Sequence, residues 1–131
     1  MALFVALLAA CAAQHAVELS RLTNSEIHDA IDGHFVVIDH GPDHLLPSRM
    51  QREDFCNGLV RTTGDRIPVV VVPYVIGDDR LCIGNGESMS CRLLYRDGDG
   101  SLHMQWLRDG NATLPLLRVE SGELPTEACS N

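Results

Sequence analysis

The stretch Arg80–Leu107, RLCIGNGESMSCRLLYRDGDGSLHMQWL, constrains the fold most, because it reads as two consecutive β-hairpins with a cysteine on each arm of the first. Asp97-Gly98-Asp99-Gly100 is a strong hairpin turn, since Gly and Asp accept the positive φ that tight turns need. With Arg96 set opposite Ser101, Tyr95 falls opposite Leu102, Leu93 opposite Met104 and Cys91 opposite Trp106. These pairs share one face, which is nearly all apolar. The other face carries Arg96/Ser101, Leu94/His103 and Arg92/Gln105 and is mostly polar. A slip of one residue would misalign the two apolar sets, so this register is the expected one. Carried back into the first hairpin, it places Cys82 opposite Cys91 across the Gly84–Met89 loop. Directly opposed Cβ atoms in a non-hydrogen-bonded antiparallel pair lie close enough to bridge, so a Cys82–Cys91 disulfide is predicted.

Upstream, Leu22-Thr23-Asn24-Ser25-Glu26 opens a helix. Thr23 with Glu26 three residues on is a capping box, and Leu22 and Ile27 stand where a hydrophobic staple forms. Ile27, Ala30 and Ile31 give one apolar stripe, and Asp32-Gly33 ends the helix. A helix this short is not stable alone and must lie against a sheet. Phe35–Ile38 reads as a strand, and strands are expected around Asp54–Phe55 and Leu59–Thr62, broken at Asn57-Gly58.

Ile67–Ile76, IPVVVVPYVI, is the most apolar stretch. Its continuous run predicts a strand covered on both faces. Pro68 and Pro73 lie an odd number of residues apart, so their missing N–H groups face opposite edges of a regular strand. One long central strand is therefore not expected. Val69–Val72 should pair well, with a bulge or bend near Pro73. Leu114–Glu120 reads as a last strand at an edge, given Pro115, and residues 122–131 as a polar tail.

The N-terminus carries a different signal. Ala2–Ala13 is an apolar run of about 12 residues, the length of a signal-peptide core and too short to span a bilayer. Leu8-Ala9-Ala10-Cys11 resembles the bacterial lipobox, in which the cysteine is lipidated and becomes the first mature residue; ordinary cleavage after Ala13 or Ala16 is the alternative. No Lys or Arg precedes the run. Residues 1–16 are thus read as an export signal, and export supplies an oxidising compartment. Setting Cys11 aside leaves Cys56 and Cys129, an even set that allows a second disulfide.

The remaining residues suffice for one domain. The formal net charge is −8, which argues against nucleic acid, whose binding rests on clustered Lys and Arg. All ten basic residues are Arg. Arg92, Arg96, His103 and Gln105 would project together on the polar face of the second hairpin, a local positive patch suited to a small anionic ligand or an acidic partner. His34, Asp39, His40, Asp43 and His44 cluster in sequence, but Gly41-Pro42 forbids the helix on which a four-residue His spacing makes ligands. No cofactor motif and no nucleophile context appears.

Leu22, Thr23, Glu26, Ile27 and Gly33, followed by Leu81, Cys82, Cys91, Arg92, Leu94, Tyr95, Asp97, Asp99 and Gly100, resemble the pattern of small uncharacterised exported proteins of alphaproteobacteria. In these a capped helix precedes a Cys-bridged antiparallel β-meander. The resemblance covers roughly residues 20–105, although Asp39–Thr63 lacks the group's hairpin signature. It implies location and fold but no activity.

The expectation is one α+β domain over residues 20–121, with a short N-terminal helix on a curved antiparallel meander or small open barrel of about six to seven strands. The expected role is a non-enzymatic envelope protein, periplasmic or lipid-anchored in a Gram-negative bacterium, that binds a small anionic ligand or another envelope protein. An enzyme using the His34–His44 loop and a structural or inhibitory lipoprotein are the alternatives.

Overall fold

The computed structural model describes residues 18–42, 49–108 and 115–130. In chain order the elements are β1 (Ser20–Arg21), α1 (Asn24–Ile31), β2 (His34–Asp39), β3 (Met50–Cys56), β4 (Leu59–Gly64), β5 (Ile67–Gly77), β6 (Arg80–Ile83), β7 (Ser90–Arg96), β8 (Leu102–Trp106), β9 (Leu116–Arg118) and β10 (Glu120–Glu123). Short 3-10 turns lie at Gly86–Ser88 and Thr126–Cys129. The export signal, Cys11, Asp43 and His44 lie outside the described residues.

The strands form one antiparallel sheet in the order β10-β2-β3-β4-β5-β6-β7-β8-β9, with β1 pairing the end of β7. β9 and β10 stand at opposite ends of that order, yet only Val119 separates them in sequence. The sheet therefore curls until its ends meet. Val119 spans the seam, buried, with its N–H donated to the Leu102 carbonyl at 3.0 Å. The result is a nearly closed, mostly β barrel with one minor helix, which corrects the expected α+β class and the count of six to seven strands. The segment read as a polar tail, residues 122–131, supplies the second half of β10 and a turn held by a disulfide, so it belongs to the domain.

α1 forms as its caps dictate. The Thr23 hydroxyl accepts from the Glu26 N–H at 3.4 Å, and the Glu26 carboxylate accepts from the Thr23 N–H at 3.1 Å. Ile27, Ala30 and Ile31 enter the barrel core with Leu22, Val36, Ile38, Phe55, Val60, Leu81, Leu94, Leu102 and Met104. The β3–β4 hairpin turns at Asn57-Gly58, both at positive φ as a two-residue turn requires.

The second hairpin departs from its expected register by one residue. Arg96 pairs with Leu102, Tyr95 with His103, Leu94 with Met104, Leu93 with Gln105 and Arg92 with Trp106. The loop is the cause. The Asp97 carboxylate accepts from the backbone N–H groups of Asp99 (2.8 Å) and Ser101 (3.0 Å), and Asp97 N–H donates to the Ser101 carbonyl at 3.1 Å. Asp97 and Ser101 thus close a three-residue loop whose last residue, Gly100, has φ +81°. Arg92 and Leu94 consequently face inward with Leu102 and Met104, while Leu93 is buried outside the main core cluster.

Both disulfides are present. Cys82 pairs directly with Cys91, their Cα atoms 4.0 Å apart, and Cys56 joins Cys129.

β5 corrects a further expectation. Val69, Val70, Val71 and Val75 are exposed, so its faces are not both covered. From Ile67 to Pro73 it pairs with β4, with one irregularity, and from Tyr74 to Gly77 with β6. The bulge lies opposite Thr63, at Pro68-Val69, rather than near Pro73. Pro68 has no N–H to donate, so a bulge is where a strand tolerates it. Pro73 marks the change of partner instead.

Candidate functional site

The register separates the four residues expected to form a positive patch. Arg92 lies inside the barrel, 4% exposed, and grips Glu53 of β3 with both terminal nitrogens at 2.6 Å. The Trp106 ring lies 4.5 Å from its guanidinium carbon, and Met104 Sδ is 3.5 Å from Nη1. Arg96 donates to the Gly100 carbonyl at 2.9 Å. His103 and Gln105 pair with Tyr95 and Leu93, on the opposite face from Arg92. His103 meets Asp97 at 2.9 Å, and Tyr95 donates to Gln105 at 3.4 Å. Arg92 and Arg96 therefore do not converge with His103 and Gln105 on an anion.

The His103 hydrogen bond and those from Ser101 and Asp99 hold the Asp97 carboxyl below its ordinary range. A carboxylate depressed in the folded state stabilises above its unfolded pKa, and the contribution disappears as pH falls through the folded value. Asp97→Ala is thus expected to lower Tm at neutral pH by more than in acid. Thermal melts on either side of the carboxylate range read this, and an equal drop at both would remove the charge from the account.

The His34–Asp39–His40 segment is spread along β2. His34 Nδ1 lies 2.9 Å from the Asp32 carbonyl, whereas His40 Nε2 lies 3.0 Å from Gln51 Oε1 at the far end. Arg49 binds both Asp39 oxygens, at 2.9 and 3.1 Å, and with the Gly41 N–H holds that carboxyl down to about 2. Among the described residues no three His, Cys, Asp or Glu side chains gather as metal ligands.

Two features were not legible as sites. The first is a groove of about 620 Å³ between α1, the Asn57-Gly58 turn and β5. At its edge His28 Nδ1 lies 2.8 Å from Asp32 Oδ2, and Tyr74 donates to Asp32 Oδ1 at 2.5 Å. Burial, and then the Asp32 carboxylate, push the Tyr74 phenol well above its ordinary range. The i,i+4 spacing of His28 and Asp32 was visible in the sequence; Tyr74 is brought to them only by the fold. His28 and Asp32 are each about half exposed and are engaged with one another, which suits them to fastening α1 to β5.

The second is the edge of β5. Tyr74 donates its N–H to the Gly58 carbonyl, towards β4, and Gly84 donates to the Pro73 carbonyl on the other side. Alternate residues of a strand point alternate ways, so the N–H and C=O of Val71 also turn away from β4. Among the described residues no strand pairs with that edge from Ile67 to Val72, because β6 begins pairing only at Tyr74. Val69 (54%), Val70 (43%) and Val71 (55%) are exposed along it. Leu59, cross-strand from Pro73, and Val75 extend the apolar surface. The sequence signal was Pro73, which marks where the neighbour changes.

Compared with protein-family models, curated proteins and solved structures, the chain matches none.

Proposed function

We propose that this is a non-enzymatic, partner-binding domain of the bacterial envelope, exported and held at or near the membrane, that takes an extended protein segment along the edge of β5. One observation carries the reading: a run of exposed valines on an edge whose backbone groups point outward. Exposed apolar edges are the features that folded proteins normally cover or charge. Strand addition is the binding mode such an edge supports, with main-chain hydrogen bonds giving affinity and side-chain contacts giving selectivity. The two disulfides favour an oxidising compartment, in keeping with export. The His28–Asp32–Tyr74 groove supports an enzyme less well, since its polar groups are engaged with one another.

Val71→Lys tests the reading. Val71 is exposed, so the fold should tolerate the change, whereas a docked strand would lose the burial of a valine, about 1.5–3 kcal/mol. Retention of envelope proteins by the immobilised protein is expected to fall by about tenfold or more. Ser25→Lys, on the exposed side of α1, should leave retention unchanged. Equal retention by Val71→Lys and the native protein would rule out the β5 edge as the docking surface.

A further inference from the structure

We infer that the segment taken by the β5 edge is β5 of a second copy of this chain, the two strands pairing antiparallel about a two-fold axis near Val70 and Val71. This rests on the reading of β5 as a docking edge and names its occupant. A two-fold axis sets like residues beside like, so a self-pairing strand must not bring equal charges together. The chain carries a net charge of −8, which opposes self-association over most of its surface. Ile67–Pro73, IPVVVVP, is free of charge, and the exposed valines lie within it.

Antiparallel pairing offers each exposed valine an apolar neighbour from the other copy. It also satisfies the outward N–H and C=O of Val71 on both strands. The apolar patch continues onto the outer face at Leu59 and Val75, which widens the contact beyond one strand pair. Arg66 stands at one end of the run, and the Gly86–Ser88 turn with Glu87 follows Gly84, which is bonded to Pro73 at the other. Reversing the second strand moves Arg66 of each copy towards Glu87 of the other, an attractive pairing of ends.

Sedimentation of the purified full chain, both disulfides intact, over a range of concentrations tests the inference. The native protein is expected to dimerise reversibly. Val71→Pro removes the outward N–H while leaving the β4 side of the ladder untouched, and should weaken the dimer at least tenfold with Tm little changed. Val71→Lys should do the same by charge and guards against a folding defect in the proline variant. A dimer that survives both substitutions uses another surface and overturns the inference. A native protein that stays monomeric, yet retains another envelope protein through Val71, overturns self-pairing and leaves the docking reading standing. A monomer whose retention ignores Val71 overturns both.

Discussion

Arg92→Met is expected to cost about 3–5 kcal/mol, a large share of what holds an ordinary domain together. The loss arises from what remains. Glu53 is 1% exposed, and both of its oxygens depend on the guanidinium at 2.6 Å. Without Arg92 a carboxylate is left inside the barrel with no cation among the described residues to meet it. Glu53→Leu strands the guanidinium in the same way, with Trp106 and Met104 as its remaining neighbours. Combining Glu53→Leu with Arg92→Met removes both charges and should recover most of the loss, because desolvating two ions offsets most of their mutual attraction. Urea unfolding with an unchanged m-value reads all three variants. A single substitution costing less than about 1 kcal/mol, the scale of exposed ion pairs, would mean that water reaches this pair and that β3 and β7 are not clamped through it.

That ion pair also explains why the sequence pattern points Arg92 the wrong way. Assigning faces by polarity sent Arg92 outward, since an arginine inside a small barrel is disfavoured unless something answers its charge. Its partner lies on β3, thirty-nine residues earlier, and no local pattern reveals it. With Arg92 outward, Cys91, Leu93 and Tyr95 had to point in, and the register followed. The Asp97 carboxylate decides otherwise, because its two backbone acceptances fix a three-residue loop. Features whose cause is local were legible: the Thr23–Glu26 capping box, the Asn57-Gly58 turn, and Cys82 opposite Cys91. β5 failed for the opposite reason. A run of valines records a liking for strand and for burial, but not how many neighbours the strand receives. Since β4 and β6 divide its length, its first half has, among the described residues, an open edge where the sequence pattern points to core. Val119 carries no local signal either, being one residue in an apparent edge strand that joins the two ends of the sheet.

Removing the Cys56–Cys129 bridge, as Cys56→Ser with Cys129→Ser, should cost more than removing Cys82–Cys91 in the same way. The bridged residues are 73 apart in the first case and 9 in the second. Chain entropy alone then gives about 4 kcal/mol against about 2.5 kcal/mol, since the effect grows with the logarithm of the loop. The structure adds to the difference. Cys82 and Cys91 sit on adjacent strands already joined by a short hairpin, where the ladder holds them opposite each other without the bond. Cys129 fastens the segment after β10 to the end of β3, helped by Asn57 donating to the Cys129 carbonyl at 2.8 Å and Leu124 donating to the Gly33 carbonyl at 2.9 Å. β10 is the strand that brings the sheet's far end round to β2, so losing the bridge should loosen the seam first. Hydrogen exchange should therefore rise at Glu120–Glu123 in the first variant and stay native there in the second, while urea midpoints report the two losses. Equal losses would show that the unfolded chain is already compact enough to cancel the advantage of the longer loop. Unchanged exchange at β10 would show that the barrel closes on Val119 and the Leu124–Gly33 hydrogen bond without covalent help.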